Sequence, residues 1–506
     1  MAALAWRLPP LTAPRPARWR ARAAAVVRAA TLAAGVLVGA AATAQPAPAV
    51  APPAADGPPC LADSAGASLR WPGLRYTCLG LPDGSAVLLA QAGLEAPSAP
   101  VVLLVHGLGQ NGHRDWAPTF EALAAQYRVL ALDLPGFGAS PPPGRAYSFD
   151  ALDRTLLQVL DLAAPGRPVH VVGHSLGGAL ALHFAHRQPQ RVASLVLVDA
   201  AGILLKPVFV REIARPVAPR VGIGAVDRFF GFLEDRVNGL QSLLLLGRDD
   251  RYDFVPWLMR HPEVRQALLG GLVQVDAALG LVEHDFSAAL REVRAPTTVI
   301  WGEHDRVAPL RTGQVLARRL PQAQLQVVPG AGHTPMLEQP ADFHRRLLAA
   351  LAAPPAAGTA WAPAVGPSQG HVVCQGGQGA RYSGRFESLT LQDCGRVRVE
   401  DAWIGRLVLR NSTVSLLNSV VQAPDDRAGG AAVDAVDSEL TATASRLQGP
   451  LALRSENSFF DLAGVSLRAQ GPVLDLRGAR NRLFLSVSDW QGSDLQGDAH
   501  VIWPRP

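Results

Sequence analysis

The run Val169-His170-Val171-Val172 leads directly into Gly173-His174-Ser175-Leu176-Gly177-Gly178, and a helical pattern from Ala179 to Arg187 follows at once. A serine between two glycines, where a strand turns into a helix, occupies a sharp and crowded bend. Only glycine at positions 173 and 177 lets the flanking elements approach that closely. The bend lifts the hydroxyl clear of the sheet, and the helix behind it aims free N–H groups at whatever the serine attacks. A Gly-x-Ser-x-Gly string alone is weak evidence, but in strand–turn–helix context Ser175 reads as a nucleophile.

Short apolar runs alternate with helical patterns on both sides of this unit. Leu74 to Cys78 and Ala86 to Ala90, joined through Pro82-Asp83-Gly84, predict a hairpin. Val101 to Val105, Arg128 to Leu132, Leu195 to Val198, Thr297 to Trp301 and Leu325 to Val328 predict buried strands. Helical patterns cover Trp116 to Tyr127, Phe149 to Leu162 with Asp150 as its cap, Arg311 to Leu320 and Ala341 to Leu351. This grammar predicts the α/β class, a doubly wound, mostly parallel sheet with helices on both faces. In such sheets chemistry gathers at the carboxyl ends of the strands. The alternation stops between about 202 and 290, where helical patterns (Ala225 to Leu233, Gly239 to Leu246, Val255 to Arg260, Val264 to Ala277) predict a helical cap. Its apolar side chains, Phe229, Phe230, Trp257 and Met259 among them, serve packing and an acyl pocket alike.

An alcohol attacks only as it loses its proton, so Ser175 needs a base, and that base needs an orienting acid. His333 follows the last strand in the glycine-rich loop Gly330-Ala331-Gly332, and Asp305 follows the strand before it. The order serine, acid, histidine then places all three at one sheet edge. Asp199, after Val198, is the alternative acid, and Glu303 a weaker third. The backbone N–H groups of Leu176 and of Leu108, the latter held between Gly107 and Gly109, are the expected oxyanion donors. His106 is expected to support that loop together with Gly107; His113, His174 and His183 take structural readings.

On the motifs His106-Gly107, Asp133-Leu134-Pro135-Gly136-Phe137-Gly138, Gly173-His174-Ser175-Leu176-Gly177-Gly178, Gly302-Glu303-His304-Asp305 and Gly332-His333, residues from about 74 to 352 resemble the α/β-hydrolase superfamily, in its branch with a helical cap. The resemblance implies a serine hydrolase working through an acyl-enzyme without a cofactor. Related members include esterases, lipases, thioesterases and carbon–carbon bond hydrolases, so the substrate stays open. Serine at 175 separates this chain from the epoxide hydrolases and haloalkane dehalogenases, which carry aspartate there. The preferred expectation is a carboxylic ester with an apolar acyl part, with thioester or carbon–carbon bond hydrolysis on the same triad as alternatives.

At 506 residues the chain exceeds one core. Its net charge of +5 is an effect of one end, because Arg7, Arg15, Arg18, Arg20, Arg22 and Arg28 stand there without an acidic residue. Nucleic acid is therefore not an expected partner. The basic start, the apolar Ala29 to Ala42 and Ala42-Thr43-Ala44 predict a signal peptide over 1–44, cleaved after Ala44, and a periplasmic or secreted protein. An uncleaved membrane anchor is the alternative, although 14 apolar residues are short of the ~20 that span a bilayer. Residues 45–59 read as a disordered tether, 60–352 as the hydrolase domain and 353–369 as a Pro/Ala/Gly linker. The four cysteines form two local pairs, Cys60–Cys78 and Cys374–Cys394, expected as disulfides in an exported chain, and their spacing suggests no metal.

Beyond the linker the helical signals vanish. Asn411-Ser412, Asp437-Ser438, Asn457-Ser458 and Asn481-Arg482 recur at intervals of 26, 20 and 24 residues, each before a short strand-like run. Residues 370–506 thus read as an all-β domain, a short right-handed parallel β-helix, with a β-sandwich as the alternative. Stacked on adjacent rungs, Cys374 and Cys394 would sit about 4.8 Å apart. The domain is expected to act as a spacer or stabiliser. Glycan or cell-surface contact, through Trp403 and Trp490, is the competing reading and the basis for a non-catalytic binding protein.

Overall fold

The computed structural model describes Cys60 and residues 73–502, except 110, 144–146, 205–272, 356–362, 364–365, 425–429, 479, 494–495 and 498–499. The expected leader and tether, and the cap helices expected at 225–233, 239–246 and 255–260, lie outside the described residues.

Two antiparallel strands, β1 (Arg75–Gly80) and β2 (Ala86–Gly93), form the predicted hairpin and open an eight-stranded sheet. The sheet continues through β3 (Val101–Val105), β4 (Arg128–Leu132), β5 (Val169–His174), β6 (Val192–Val198), β7 (Thr297–Gly302) and β8 (Ala323–Val328), in the order β1-β2-β4-β3-β5-β6-β7-β8. From β4 onward in that order every pairing is parallel. Alternate residues of each strand enter different cores, as the period of two requires. Leu103, Val105, Val171 and Leu197 pack under α2 (Phe149–Ala163) and α3 (Leu176–Arg187); Val102, Leu104, Val172 and Val196 pack under α1 (Ala117–Ala124). Three layers result. Ser148, not Asp150, caps α2: its side chain accepts from the Ala151 N–H at 3.2 Å, and Asp150 stands in the first turn. Trp116 closes a 3₁₀ turn before α1 instead of opening the helix.

After residue 272 the chain continues through α4 (Val273–Glu283) and α5 (Ser287–Glu292). After β7 comes α6 (Leu310–Arg319), and after β8 the short α7 (Pro335–Glu338) and the long α8 (Pro340–Ala352), which packs beside α1. Cys60 and Cys78 are disulfide-bonded, which ties Cys60 to β1.

Residues 371–502 form stacked coils whose strands pair in parallel, rung upon rung, as in a β-helix. The strand Glu439–Thr443, for example, lies between Thr413–Leu417 and Phe459–Ala463 in unbroken register. Parallel pairing with both neighbours rules out the antiparallel sandwich. The recurring Asn/Asp-Ser pairs make the corners. Asn411, Asp437 and Asn457 take left-handed backbone (φ 45°, 46° and 51°), which short polar side chains tolerate best. The serine that follows turns inward and accepts from the backbone of the coil before it. Thus Cys394 N–H donates to Ser412, Ser412 N–H to Ser438 and Ser438 N–H to Ser458, at 3.0, 3.1 and 3.0 Å. Asn481 completes the column by accepting from Ser458 N–H at 3.0 Å. A second column runs through Ser419, Ser445 and Ser488.

Cys374 and Cys394 are bridged, with a correction to the expected stacking. Cys374 pairs in register with Leu391, and Cys394 lies past the corner three residues on, so the Cα atoms are 6.6 Å apart rather than one rung spacing. One face of Trp403 is taken by the Arg385 guanidinium, which lies 4.5 Å from its ring centre. Trp490 is 45% exposed.

The β-helix docks on α6. Ala463 belongs to the same core as α3 and α6, Val487 packs against it, and a Cβ on Gly464 would stand 2.8 Å from Val315. Arg311 spans the contact, donating to both carboxylate oxygens of Asp461, to Thr443 Oγ1 at 2.6 Å and to the Ala442 carbonyl at 3.0 Å. Arg319 pairs with Asp489, which also takes Arg468.

Candidate active site

Ser175 sits between β5 and α3 with φ 52° and ψ −117°, a backbone that a β-carbon strongly disfavours. The surroundings enforce it. Ser175 N–H donates to Val198 O at 3.0 Å, and its carbonyl accepts from Ala201 N–H at 3.1 Å. A Cβ on Gly173 would meet the Gly177 carbonyl at 2.1 Å, and one on Gly177 would meet that of Val105 at 2.2 Å. The two glycines are therefore demanded by β5, α3 and β3 closing on one another.

The loops after β7 and β8 bring the other two predicted residues to this bend. His333 Nε2 lies 3.0 Å from Ser175 Oγ, and Nδ1 lies 2.8 Å from Asp305 Oδ2. With Nδ1–H donating to Asp305, Nε2 is left to accept the serine proton. Asp305 is buried, and its Oδ1 accepts from the N–H groups of Val307 and Ala308 at 2.8 and 2.9 Å. Burial raises the Asp305 carboxyl, but the hydrogen bond and positive potential of His333, followed by contact with Asp199 and the loop N–H groups, outweigh it and hold it below the ordinary carboxylate value.

Asp199, the alternative acid, does not reach His333 Nδ1 as its partner, because Asp305 takes that position. It lies behind Asp305, with Oδ1 accepting from Gly302 N–H at 2.9 Å. Glu303 accepts from Gly330 N–H at 3.0 Å and braces the loop rather than the imidazole. One ligand atom each from Asp199, Asp305 and His333 lies within 4.8 Å of the others, a spacing that a cation tolerates. A cation there would displace the bond between Asp305 and His333, so the set reads as a hydrogen-bonded chain and not as a metal centre.

The loop after β3 lies against the serine. A Cβ on Gly107 would be 3.1 Å from Ser175 Cβ, so the loop that carries Leu108 runs against the serine. Leu176 opens α3, where the first N–H groups have no partner within the helix. His106 is wholly buried; its Nε2 accepts from Leu134 N–H at 2.9 Å and its Nδ1 donates to Gly107 O at 2.7 Å. Burial lowers its pKa, so the ring is neutral and ties the loop to the one after β4. Asp133 anchors that second loop, accepting from His113 N–H at 2.6 Å and Ala139 N–H at 2.9 Å. His183 is buried beside His284 at 3.1 Å, at the base of the returning cap chain.

Two supports were not visible as such in the sequence. His174 Nε2 donates to the carbonyl of His333 at 2.7 Å, and burial with the neighbouring His333 pushes its pKa down to about 3. It is a fixed neutral donor holding the histidine loop. Glu338, on α7, accepts from Gly332 N–H at 2.7 Å, Thr334 N–H at 2.9 Å and Thr334 Oγ1 at 2.8 Å. The Glu338 signal was its five-residue spacing from His333; nothing local marked His174.

The α/β hydrolase fold family matches residues 100–340. A pimeloyl-[acyl-carrier protein] methyl ester esterase of Chromobacterium violaceum is 35% identical over 251 residues, covering 49% of this chain and 92% of its own. A 2-hydroxy-6-oxononadienedioate/2-hydroxy-6-oxononatrienedioate hydrolase of Cupriavidus pinatubonensis is 32% identical over 268 residues, 49% and 86% respectively. A solved structure of a hydrolase from Pseudomonas aeruginosa aligns with 25% identity and a TM-score of 0.41, covering 55% of this chain and 99% of that one. With a serine on the strand–helix bend and relatives of this kind, the chain is a serine hydrolase and belongs to the α/β-hydrolase family.

Proposed function

We propose that this protein is an exported hydrolase that cleaves carboxylic esters with an apolar acyl part through an acyl-enzyme. The observation that carries the reading is the continuous chain Ser175 Oγ–His333 Nε2 at 3.0 Å and His333 Nδ1–Asp305 Oδ2 at 2.8 Å. Ser175 Oγ bonds to the ester carbonyl carbon while its proton passes to His333 Nε2. The carbonyl oxygen becomes an oxyanion, for which the N–H groups of Leu108 and Leu176 are the donors. Collapse breaks the bond to the alkoxide oxygen, which takes the proton from Nε2 and leaves as the alcohol. Water repeats the cycle and releases the acid. Asp305 stays ionised, fixing the tautomer and compensating the imidazolium.

The ester reading is supported by the esterase relative; export is supported by the leader pattern and the two cystines. A panel of p-nitrophenyl esters of increasing acyl length, an acyl thioester and a β-diketone, offered to the purified protein, tests it. The expected result is the highest kcat/KM on an ester. Preference for the β-diketone would move the protein to carbon–carbon bond hydrolysis on the same residues.

A further inference from the structure

The hydrogen bonds around Asp305 leave one acceptor too many. Asp305 Oδ1 takes two N–H donors and Oδ2 takes His333 Nδ1. Asp199 Oδ1 takes Gly302 N–H, but Oδ2 is buried and meets no donor among the described residues. Asp199 nevertheless brings a carboxylate oxygen within 4.8 Å of one on Asp305, and both side chains are buried. Two ionised carboxylates offer each other only lone pairs, so a buried pair this close is relieved by a proton between them. Asp305 already has the donors an anion needs, and Asp199 has the vacant oxygen.

We propose that Asp199 is a neutral carboxylic acid whose Oδ2–H donates to Asp305, which makes it a positioning residue that keeps Asp305 ionised and aimed at His333. The proposal rests on the Ser175–His333–Asp305 reading of the active site and gives a role to the acidic residue that reading leaves over. The groups that face Asp199 agree with a neutral side chain. Asp305 approaches from the loop after β7, Glu338 from α7, His333 from the loop after β8 within 4.8 Å, and the Gly302 N–H from the end of β7; His333 directs its Nδ1 to Asp305, whereas burial opposes a second charge most and both acids oppose it further. The backbone of Asp199 directs the side chain there. Its φ is 43°, and Asp199 N–H donates to Ile300 O at 3.1 Å, so the side chain is turned back over β7 toward Asp305. Asparagine tolerates this backbone and reproduces the arrangement, with Oδ1 accepting from Gly302 and Nδ2 donating to Asp305.

Infrared difference spectra and pH–rate profiles test the proposal together. On the Ser175→Ala background, which needs no turnover, the Asp199→Asn difference spectrum at pH 7 is expected to lose one carbonyl band of a protonated carboxylic acid. With p-nitrophenyl butyrate, Asp199→Asn is expected to keep kcat/KM within about threefold and to leave the acid limb of the profile in place. Asp199→Ala, without a donor, is expected to lower kcat roughly 10–100-fold, the loss of one charge-assisted hydrogen bond. An ionised Asp199 would overturn the proposal: no protonated-acid band would be lost, and Asp199→Asn would lower the acid limb by more than ~1 pH unit, as removal of a charge ~5 Å from the imidazole requires. Should Asp199→Ala fail to fold, the band and the asparagine profile still decide. A band that is present in a protein with no serine-dependent hydrolysis would support the shared proton and count against the triad reading instead.

Discussion

His333 is held from three directions: Asp305 at Nδ1, the His174 ring at its carbonyl, and Glu338 through the flanking N–H groups of Gly332 and Thr334. The imidazole therefore needs little rearrangement before it accepts a proton. Replacing Asp305 by Asn keeps the shape but permits the wrong tautomer, and kcat is expected to fall on the order of 10³–10⁴-fold with KM nearly unchanged. Steady-state kinetics on a p-nitrophenyl ester checks this. Asp199 gives a stability prediction of the opposite kind. Its carboxyl is pushed up by burial and by Asp305, and with the proton proposed for it the folded protein holds one that the unfolded chain releases above its ordinary value. Such a group contributes stability that is fully present below pH ~4 and is lost as pH rises toward the folded value, by up to ~1.4 kcal/mol per pH unit. Asp199→Asn has no proton to lose. Its melting temperature relative to the natural protein is expected to rise between pH 5 and pH 8, measured by thermal scans in matched buffers. Ser175, Asp305 and His333 were legible because each follows a strand of the parallel sheet, whose carboxyl ends share one edge. The proton on Asp199 was not legible, since it depends on which donors the folded loops supply.

At the scale of elements, position along the chain predicted strands better than helix ends. β3 and β4 fall where their apolar runs fall, because strands buried on both faces have few other ways to read. Caps depend on one side chain, and Ser148 rather than Asp150 reaches the free N–H. The β-helix corners were legible as Asn/Asp-Ser pairs, but the reason for the serine became clear only when each hydroxyl was seen to serve the preceding coil. Ser438 illustrates this. Its Oγ accepts from Ser412 N–H at 3.1 Å and donates to Val436 O at 2.7 Å, out of reach of water. Ser438→Ala is expected to cost about 1–3 kcal/mol by leaving the buried Ser412 N–H unpaired, while Val436 O keeps the Asn411 N–H at 3.1 Å, and is read as a lower denaturation midpoint. Its effect on kcat should be within twofold, since the column lies in the β-helix.

For the whole molecule, the β-helix is part of the hydrolase's packing and not only an appendage at the end of a linker. α6 carries the acid loop at one end and the β-helix on its side, with Ala463 inside the hydrolase core. This docking was hidden in the sequence, because Arg311 and Asp461 are 150 residues apart and neither stands in a motif. Both side chains are mostly buried, at 16% and 15% exposure. Removing the guanidinium leaves Asp461 and the Ala442 carbonyl without it, and Arg311→Ala is expected to destabilise by roughly 2–4 kcal/mol. Urea unfolding followed by tryptophan fluorescence checks the size.

The proposed ester hydrolysis needs Ser175 as the nucleophile of an acyl-transfer cycle. Intact-mass measurement after treatment with a fluorophosphonate probe tests it most directly. The natural protein should gain one probe adduct, mapped to the peptide carrying Ser175, and Ser175→Ala should gain none while retaining its melting temperature. An adduct of equal yield on Ser175→Ala would contradict the account.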